Sequence, residues 1–205
     1  MGERRVAEIC AGDGIECNAA NLVLHHGWEV LLVDGDEQPI ERGRDFYRQH
    51  AETSRVGPVL ERAWRFGFAK NLDVLSLDMD GNDYWVLTSL AVRPRVIVCE
   101  YDNRIPGGHA LTVPYSEGFI AAGHLTHGEG FYGASLDAYV KLLSDRRYRL
   151  VGANRHNTNA FFLRHDVLPD RLPAVPTDAC LASPWARHQR DKWWRALEDK
   201  PWVSV

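Results

Sequence analysis

The chain has 205 residues, 45% hydrophobic and 25% charged, with 24 basic and 28 acidic side chains and a formal net charge of −4. That is enough chain for one sizeable core, and the composition is ordinary for a globular domain. The mild acidity and the scattered basic residues offer no footprint for nucleic acid, and no stretch approaches the ~20 apolar residues that span a bilayer. The start, Met1-Gly2-Glu3-Arg4-Arg5-Val6, has no apolar signal region, and Val6 stands where an acylation motif needs Ser or Thr. Cys10, Cys17, Cys99 and Cys180 form no C-x-x-C pair and no metal-ligand spacing. A reducing cytoplasm is the expected setting.

Hydrophobic periodicity predicts strands at about residues 6–10, 30–33, 56–61, 72–78, 96–100, 148–153 and 160–164. It predicts helices at about 16–26, 40–50, 83–92 and 135–145. The alternation is that of a doubly wound α/β fold. The turn-rich connector 154–159 suits an antiparallel hairpin at the sheet edge. A last helix starts at Ser183-Pro184, with a capping serine and a proline in its first turn. Its Trp185, Trp193 and Trp194 read as packing on the body or on a second copy, which makes a homodimer the expected assembly.

The first motif is Glu8-Ile9-Cys10-Ala11-Gly12-Asp13-Gly14, followed after a helix by Val30-Leu31-Leu32-Val33-Asp34. A glycine turn after a strand brings backbone close to a ligand, and an acid closing the next strand accepts ribose hydroxyls. The dinucleotide fingerprint is not met: Cys17 stands where the third glycine belongs, and Glu16 before it would repel a pyrophosphate. A cationic or zwitterionic ligand is tolerated there, and S-adenosylmethionine (SAM) is one. Glu8 is positioned to pair with its ammonium. The cofactor-binding set expected from this segment is Glu8, Ala11, Gly12, Gly14, Asn18, Asp34 and Gly35, with Asp78 from the next motif.

That motif is Leu77-Asp78-Met79-Asp80-Gly81-Asn82-Asp83, where an apolar strand runs into three carboxylates around a glycine. They emerge at the carboxyl end of the sheet, where open α/β folds place their sites. Acids so close call for a cation among them: a substrate amine, the sulfonium or a divalent metal. The alternative is an acidic turn that caps the following helix through Asp83. The neighbouring strand ends in Glu100-Tyr101-Asp102-Asn103, so Asp78, Asp80, Glu100 and Asn103 are the metal candidates, with Mg2+ the ion such oxygens suit.

These residues carry a family resemblance. Residues 77–83 resemble the I-D-x-E-G-x-E signature of the FkbM-type methyltransferases, and the chain resembles a class I SAM-dependent methyltransferase across most of its sheet. The resemblance implies an α/β fold with a Rossmann-like seven-stranded sheet, mostly parallel with an antiparallel C-terminal hairpin and helices on both faces. It implies a SAM-binding domain over residues 1–170 and a C-terminal extension over 171–205. Gly12 and Gly14 would line the methionine portion, Asp34 would hold the ribose and Asp78 would sit beside the reactive methyl. Cys10 replaces the usual first glycine, and Asp80 and Asp83 replace glutamates.

The first strand begins almost at Met1, without the helices that often cover the substrate in this family. Residues 104–133, interrupted by glycines and prolines, are the expected lid. Methyl transfer is an in-line displacement in which positioning supplies much of the acceleration, and a hydroxyl acceptor also needs a base. His109, His124, His127 and the strand-end carboxylates are the candidates for that base. The catalytic set expected is Asp78, Asp80, His124 and His127. The leading expectation is O-methylation of a small polar metabolite or natural-product intermediate. The competing readings are intramolecular alkyl transfer within SAM, a nicotinamide oxidoreductase, and a silent SAM-binding protein.

Overall fold

The computed structural model describes residues 2–15, 17–35, 38, 41–42, 55–58, 71–117 and 130–205. Of the predicted helix at 40–50 only residues 41–42 are described, and they are helical; the rest of it, residues 59–61 of the predicted third strand, Glu16, His124, His127 and the middle of the expected lid lie outside the described residues. The chain forms two compact units: residues 1–78 with 91–97, and residues 79–90 with 98–205. Among the described residues no helix is long and apolar enough to cross a membrane.

In the first unit the strands β1 (Arg5–Ile9), β2 (Glu29–Asp34), β3 (Arg55–Pro58) and β4 (Val74–Leu77) pair in parallel in the order β3-β2-β1-β4. The helix α1 (Ala20–His26) joins β1 to β2, and Gly27 closes it in a left-handed conformation with φ 64°. Register places Val6, Val30 and Val74 side by side, and Val6, Val30 and Leu32 pack with Ala19 and Val23 in one cluster. The alternate residues Ala7, Ile9, Leu31, Val33, Leu75 and Leu77 point the other way and are buried as well. Strands buried on both faces are the mark of a parallel sheet with cover on both sides.

The second unit holds the end of β5 (Val96–Glu100) and the antiparallel hairpin β7 (Tyr148–Ala153) and β8 (Asn159–Arg164), in the order β5-β8-β7. The predicted hairpin is therefore present, with a bulge between Leu150 and Gly152. The helices α2 (Asp83–Ser89) and α3 (Leu136–Asp145) meet through Tyr84 and Tyr139, whose ring centroids are 6.1 Å apart. Ser135 caps α3 by accepting from the Ala138 amide at 3.1 Å. The short helix α4 (Thr177–Leu181) and the long α5 (Pro184–Leu197) follow, and Ser183 caps α5 through the Ala186 amide at 3.1 Å.

Three boundaries differ from expectation for physical reasons. Helix α1 starts at Ala20 rather than residue 16, because the chain is still turning through Gly14 and Cys17. Helix α2 ends at Ser89 rather than residue 92, because Leu90 is already extended, with ψ 124°. The expected lid is not structureless: Leu111–Thr112 form β6, which pairs antiparallel with β9 (Val203–Ser204) near the C-terminus.

One side chain stops α2. Arg146 donates to the carbonyl oxygens of Leu87 at 2.7 Å, Leu90 at 3.2 Å and Thr88 at 2.5 Å, supplying the last turn with the donors it lacks. Hydrogen bonds from a charged donor contribute about 1.5–3 kcal/mol. Arg146→Ala is expected to cost about 2–3 kcal/mol in urea denaturation, and Arg146→Lys most of that, because a single ammonium does not span three carbonyls.

Candidate functional site

The turn after β1 is built from left-handed backbone. Cys10, Gly12 and Gly14 have φ of 60°, 56° and 71°. For a residue with a Cβ that conformation costs roughly 1–2 kcal/mol, so Cys10 holds the conformation a glycine would take at its position. The Ala11 amide donates to the Val33 carbonyl at 3.1 Å and the Gly14 amide to the Ala11 carbonyl at 2.8 Å, which fixes the turn against β2. Asp34, at the end of β2, accepts from the Gly12 amide at 2.8 Å. The glycine turn and the acid at the end of β2 thus meet. Among the described residues, a Cβ built on Gly12 or on Gly35 meets nothing within 4 Å.

Glu8 and Asn18 are placed differently from expectation. Glu8 is only 3% exposed and accepts from the Asn18 amide at 3.0 Å, the Ala19 amide at 2.6 Å and the Ser76 hydroxyl at 3.2 Å. Asn18 donates its side-chain amide to Ser76 Oγ at 3.1 Å. The donors at the start of α1 need acceptors, and in this structure Glu8 supplies them rather than facing a ligand ammonium. Burial pushes the Glu8 carboxyl up, against the pull of the Ala19 and Asn18 amides. Burial and the neighbouring Glu8 push the Cys17 thiol up to about 12. Glu8→Ala leaves two backbone donors and a hydroxyl without their acceptor, and a loss of about 2–4 kcal/mol in chemical denaturation is expected.

Asp78, half-buried, follows β4 and donates its amide to the Ile9 carbonyl at 3.4 Å. In the second unit Asp83 is 1% exposed and accepts from the Met79 amide at 2.6 Å and the Gly81 amide at 2.9 Å. It thereby shapes the turn in which exposed Asp80 takes φ 55°. Asn82 holds the segment after β6, donating to the Ser116 carbonyl at 2.7 Å, and Trp85 donates its indole N–H to the Val113 carbonyl at 2.8 Å.

At the carboxyl end of β5 the side chains diverge. Glu100 and Asp80 bring carboxylate oxygens within 4.8 Å of one another. Asp102 is engaged by Arg104, whose Nε and terminal nitrogen donate to its two oxygens at 2.7 Å each. Arg104 also donates to the Gly130 carbonyl, and its guanidinium carbon lies 4.6 Å from the Tyr132 ring centroid. Burial opposes the Arg104 charge, and Asp102, together with Tyr132 and Glu100, more than offsets it. Asn103 donates its amide to the Asn157 carbonyl at 2.8 Å, tying this strand end to the β7–β8 connector.

These residues open onto a cavity of about 280 Å³ whose lining includes Glu100, Arg104, Tyr132, Trp185, Gln189 and Trp193. Burial, together with the carboxylates of Asp102, Glu100 and Asp80, pushes the Tyr132 hydroxyl up to about 12 despite Arg104, so it stays protonated at neutral pH. Sequence reasoning assigned no site role to Arg104, Tyr132, Trp185, Gln189 or Trp193. A signal for three of them was present: positions 185, 189 and 193 recur at helical spacing on one face of α5.

The cysteines differ in exposure and in how far burial disfavours the thiolate. Cys10 is exposed, Cys17 titrates at about 12, and burial pushes the Cys99 and Cys180 thiols up. Only a thiolate alkylates quickly. Iodoacetamide at pH 8 is therefore expected to add once to the folded protein, at Cys10, and at all four thiols in denaturant, as read by intact and peptide mass.

No family model and no curated protein matches the sequence. Solved structures do resemble the fold. The SAH-bound methyltransferase PaMTH1 of Podospora anserina is similar at a TM-score of 0.50 and 12% identity, over 80% of this chain and 72% of that one. An O-methyltransferase family protein from Burkholderia thailandensis is similar at a TM-score of 0.50 and 15% identity, over 78% of this chain and 51% of that one. At such identities the likeness speaks to the fold alone: a mostly parallel, Rossmann-like α/β sheet with a separate antiparallel strand pair.

Proposed function

We propose that this protein is a SAM-dependent methyltransferase of the FkbM type, built on the full seven-stranded class I sheet, which O-methylates a small polar metabolite or natural-product intermediate. The observation that carries the reading is the bond from the Gly12 amide to Asp34. It joins a glycine turn at the end of one parallel strand to an acid at the end of the next, with no described residue within 4 Å of a Cβ at Gly12 or Gly35. An acid at the end of the second strand, beside a glycine turn, suits a ligand that presents ribose hydroxyls. The fold shared with an SAH-bound methyltransferase and with an O-methyltransferase family protein supports the same choice.

Bound SAM would supply an electrophilic methyl on a sulfonium, and the chain supplies position. In this reading Ala11, Gly12 and Gly14 border the methionine portion, Asp34 and Gly35 the ribose, and Asp78 the transferred methyl. Because the Gly12 amide already orients Asp34, the carboxylate is preorganised for the ligand. Proton removal from the acceptor falls to Asp80 or to His124 or His127; Tyr132, protonated at neutral pH, serves as a hydrogen-bonding group instead. A divalent ion such as Mg2+, if used, would be held by the carboxylates of Asp80 and Glu100 and would lower the pKa of an acceptor hydroxyl.

Isothermal titration with SAM and with SAH tests the reading. Both are expected to bind, and Asp34→Ala to weaken both at least tenfold, about 1.4 kcal/mol. SAH is also expected to slow alkylation of Cys10. Absence of binding by either compound removes the proposal, and methylthioadenosine formed from SAM alone would replace methyl transfer with intramolecular alkyl transfer.

A further inference from the structure

The cavity at the end of β5 keeps its own charges engaged and leaves neutral polar groups open. Arg104 donates to both oxygens of Asp102 at 2.7 Å, and Glu100 has an interaction partner of its own. The aromatic faces that attract cations already hold cations of the chain: the Arg104 guanidinium carbon lies 4.6 Å from the Tyr132 ring centroid, and Lys192 Nζ 4.5 Å from that of Trp193. The Gln189 side-chain amide and the Tyr132 hydroxyl, by contrast, make no hydrogen bond among the described residues, and both residues line the cavity. The hydroxyl keeps its proton at neutral pH and is able to donate it in a hydrogen bond. Trp185, 51% exposed, has surface to offer a ligand, and Trp193 is half-buried beside it.

We propose that this cavity binds an uncharged aromatic carboxamide, its ring against Trp185 and Trp193 and its amide on Gln189 and the Tyr132 hydroxyl. A charged ligand would give up water for a lining whose charges are already engaged, and burying an unpaired charge is costly. A carboxamide answers Gln189 in kind: each carries an acceptor oxygen beside donor hydrogens, so the two amides pair reciprocally, which a hydroxyl does not match. The ring supplies the apolar area that indoles bury well. A volume of about 280 Å³ is near the lower end of small-molecule sites and suits a single-ring compound. No contact with the ligand is asked of Glu100 or Asp80. The assignment concerns binding alone and does not rest on the methyltransferase reading.

Benzamide, benzamidine and benzoate share one ring and one planar substituent and differ in charge: neutral, cationic and anionic. Titrated into the full chain and followed by ligand-observed NMR, benzamide is expected to bind more tightly than either charged probe, by about tenfold. Gln189→Leu, of similar size at a half-buried helix position, should weaken benzamide by about threefold to tenfold, and Tyr132→Phe, which keeps the ring under Arg104, by a similar factor. Trp185→Ala, at an exposed position, should weaken it as well. Should a variant fail to fold, the wild type still decides, since binding of a neutral ligand must stay unchanged as salt rises from about 50 to 500 mM. Tightest binding by benzamidine or by benzoate, no binding of benzamide at millimolar concentration, or full benzamide affinity in both Gln189→Leu and Tyr132→Phe overturns the proposal. Binding of SAM without benzamide would leave the methyltransferase reading standing and sink the cavity assignment; binding of benzamide without SAM would do the reverse.

Discussion

A buried guanidinium needs a partner in every direction it faces, and in the second unit Arg104 imposes that demand. Its nitrogens engage both oxygens of Asp102 and the carbonyl of Gly130, and its flat face lies over Tyr132. Strand end, returning loop and aromatic ring are therefore fixed by one side chain. Removing one member of such a pair strands a charge and typically costs 3–5 kcal/mol, which is why the arrangement tolerates little drift. The cavity described above takes its shape from this constraint.

Elsewhere, carboxylates perform the backbone's work. Asp73 accepts from the Arg4 amide at 2.7 Å, Glu8 receives the amides before α1, and Asp83 receives those of the turn before α2. Each satisfies donors that a strand or helix terminus leaves over. An acid at the end of a strand is thus under two pressures, to hold the chain and to meet a ligand. Asp34 sits at the point where one does not exclude the other, because the amide it orients belongs to the same glycine turn a ligand would approach.

Much of this was legible in the chain itself. The strands at Arg5–Ile9, Val96–Glu100 and Tyr148–Ala153 follow from short apolar runs, and the hairpin from its turn-rich connector. Spacing singled out Asp34 and the glycine turn as two parts of one motif, and the structure joins them through the Gly12 amide. The inward turn of Glu8 did not, because a carboxylate at a strand end reads the same whether it faces a ligand or a helix N-terminus. Nor did the cavity, whose walls are drawn from positions as distant as Glu100 and Trp185, and whose central cation, Arg104, is one arginine among many. Periodicity speaks for neighbours on one element; it is silent on which elements will converge.

The stripe of Trp185, Gln189 and Trp193 has a consequence for how this part of the chain can change. Four residues advance a helix by slightly more than one turn, so the stripe winds gently and its two indoles present their faces at different angles. A substitution alters one facet of that surface. Loss or gain of a single residue between them would turn everything beyond it by about 100°, carrying Trp193 off the cavity while Trp185 stayed. Point changes can therefore retune what the cavity accepts, whereas the spacing of α5 must be kept whole.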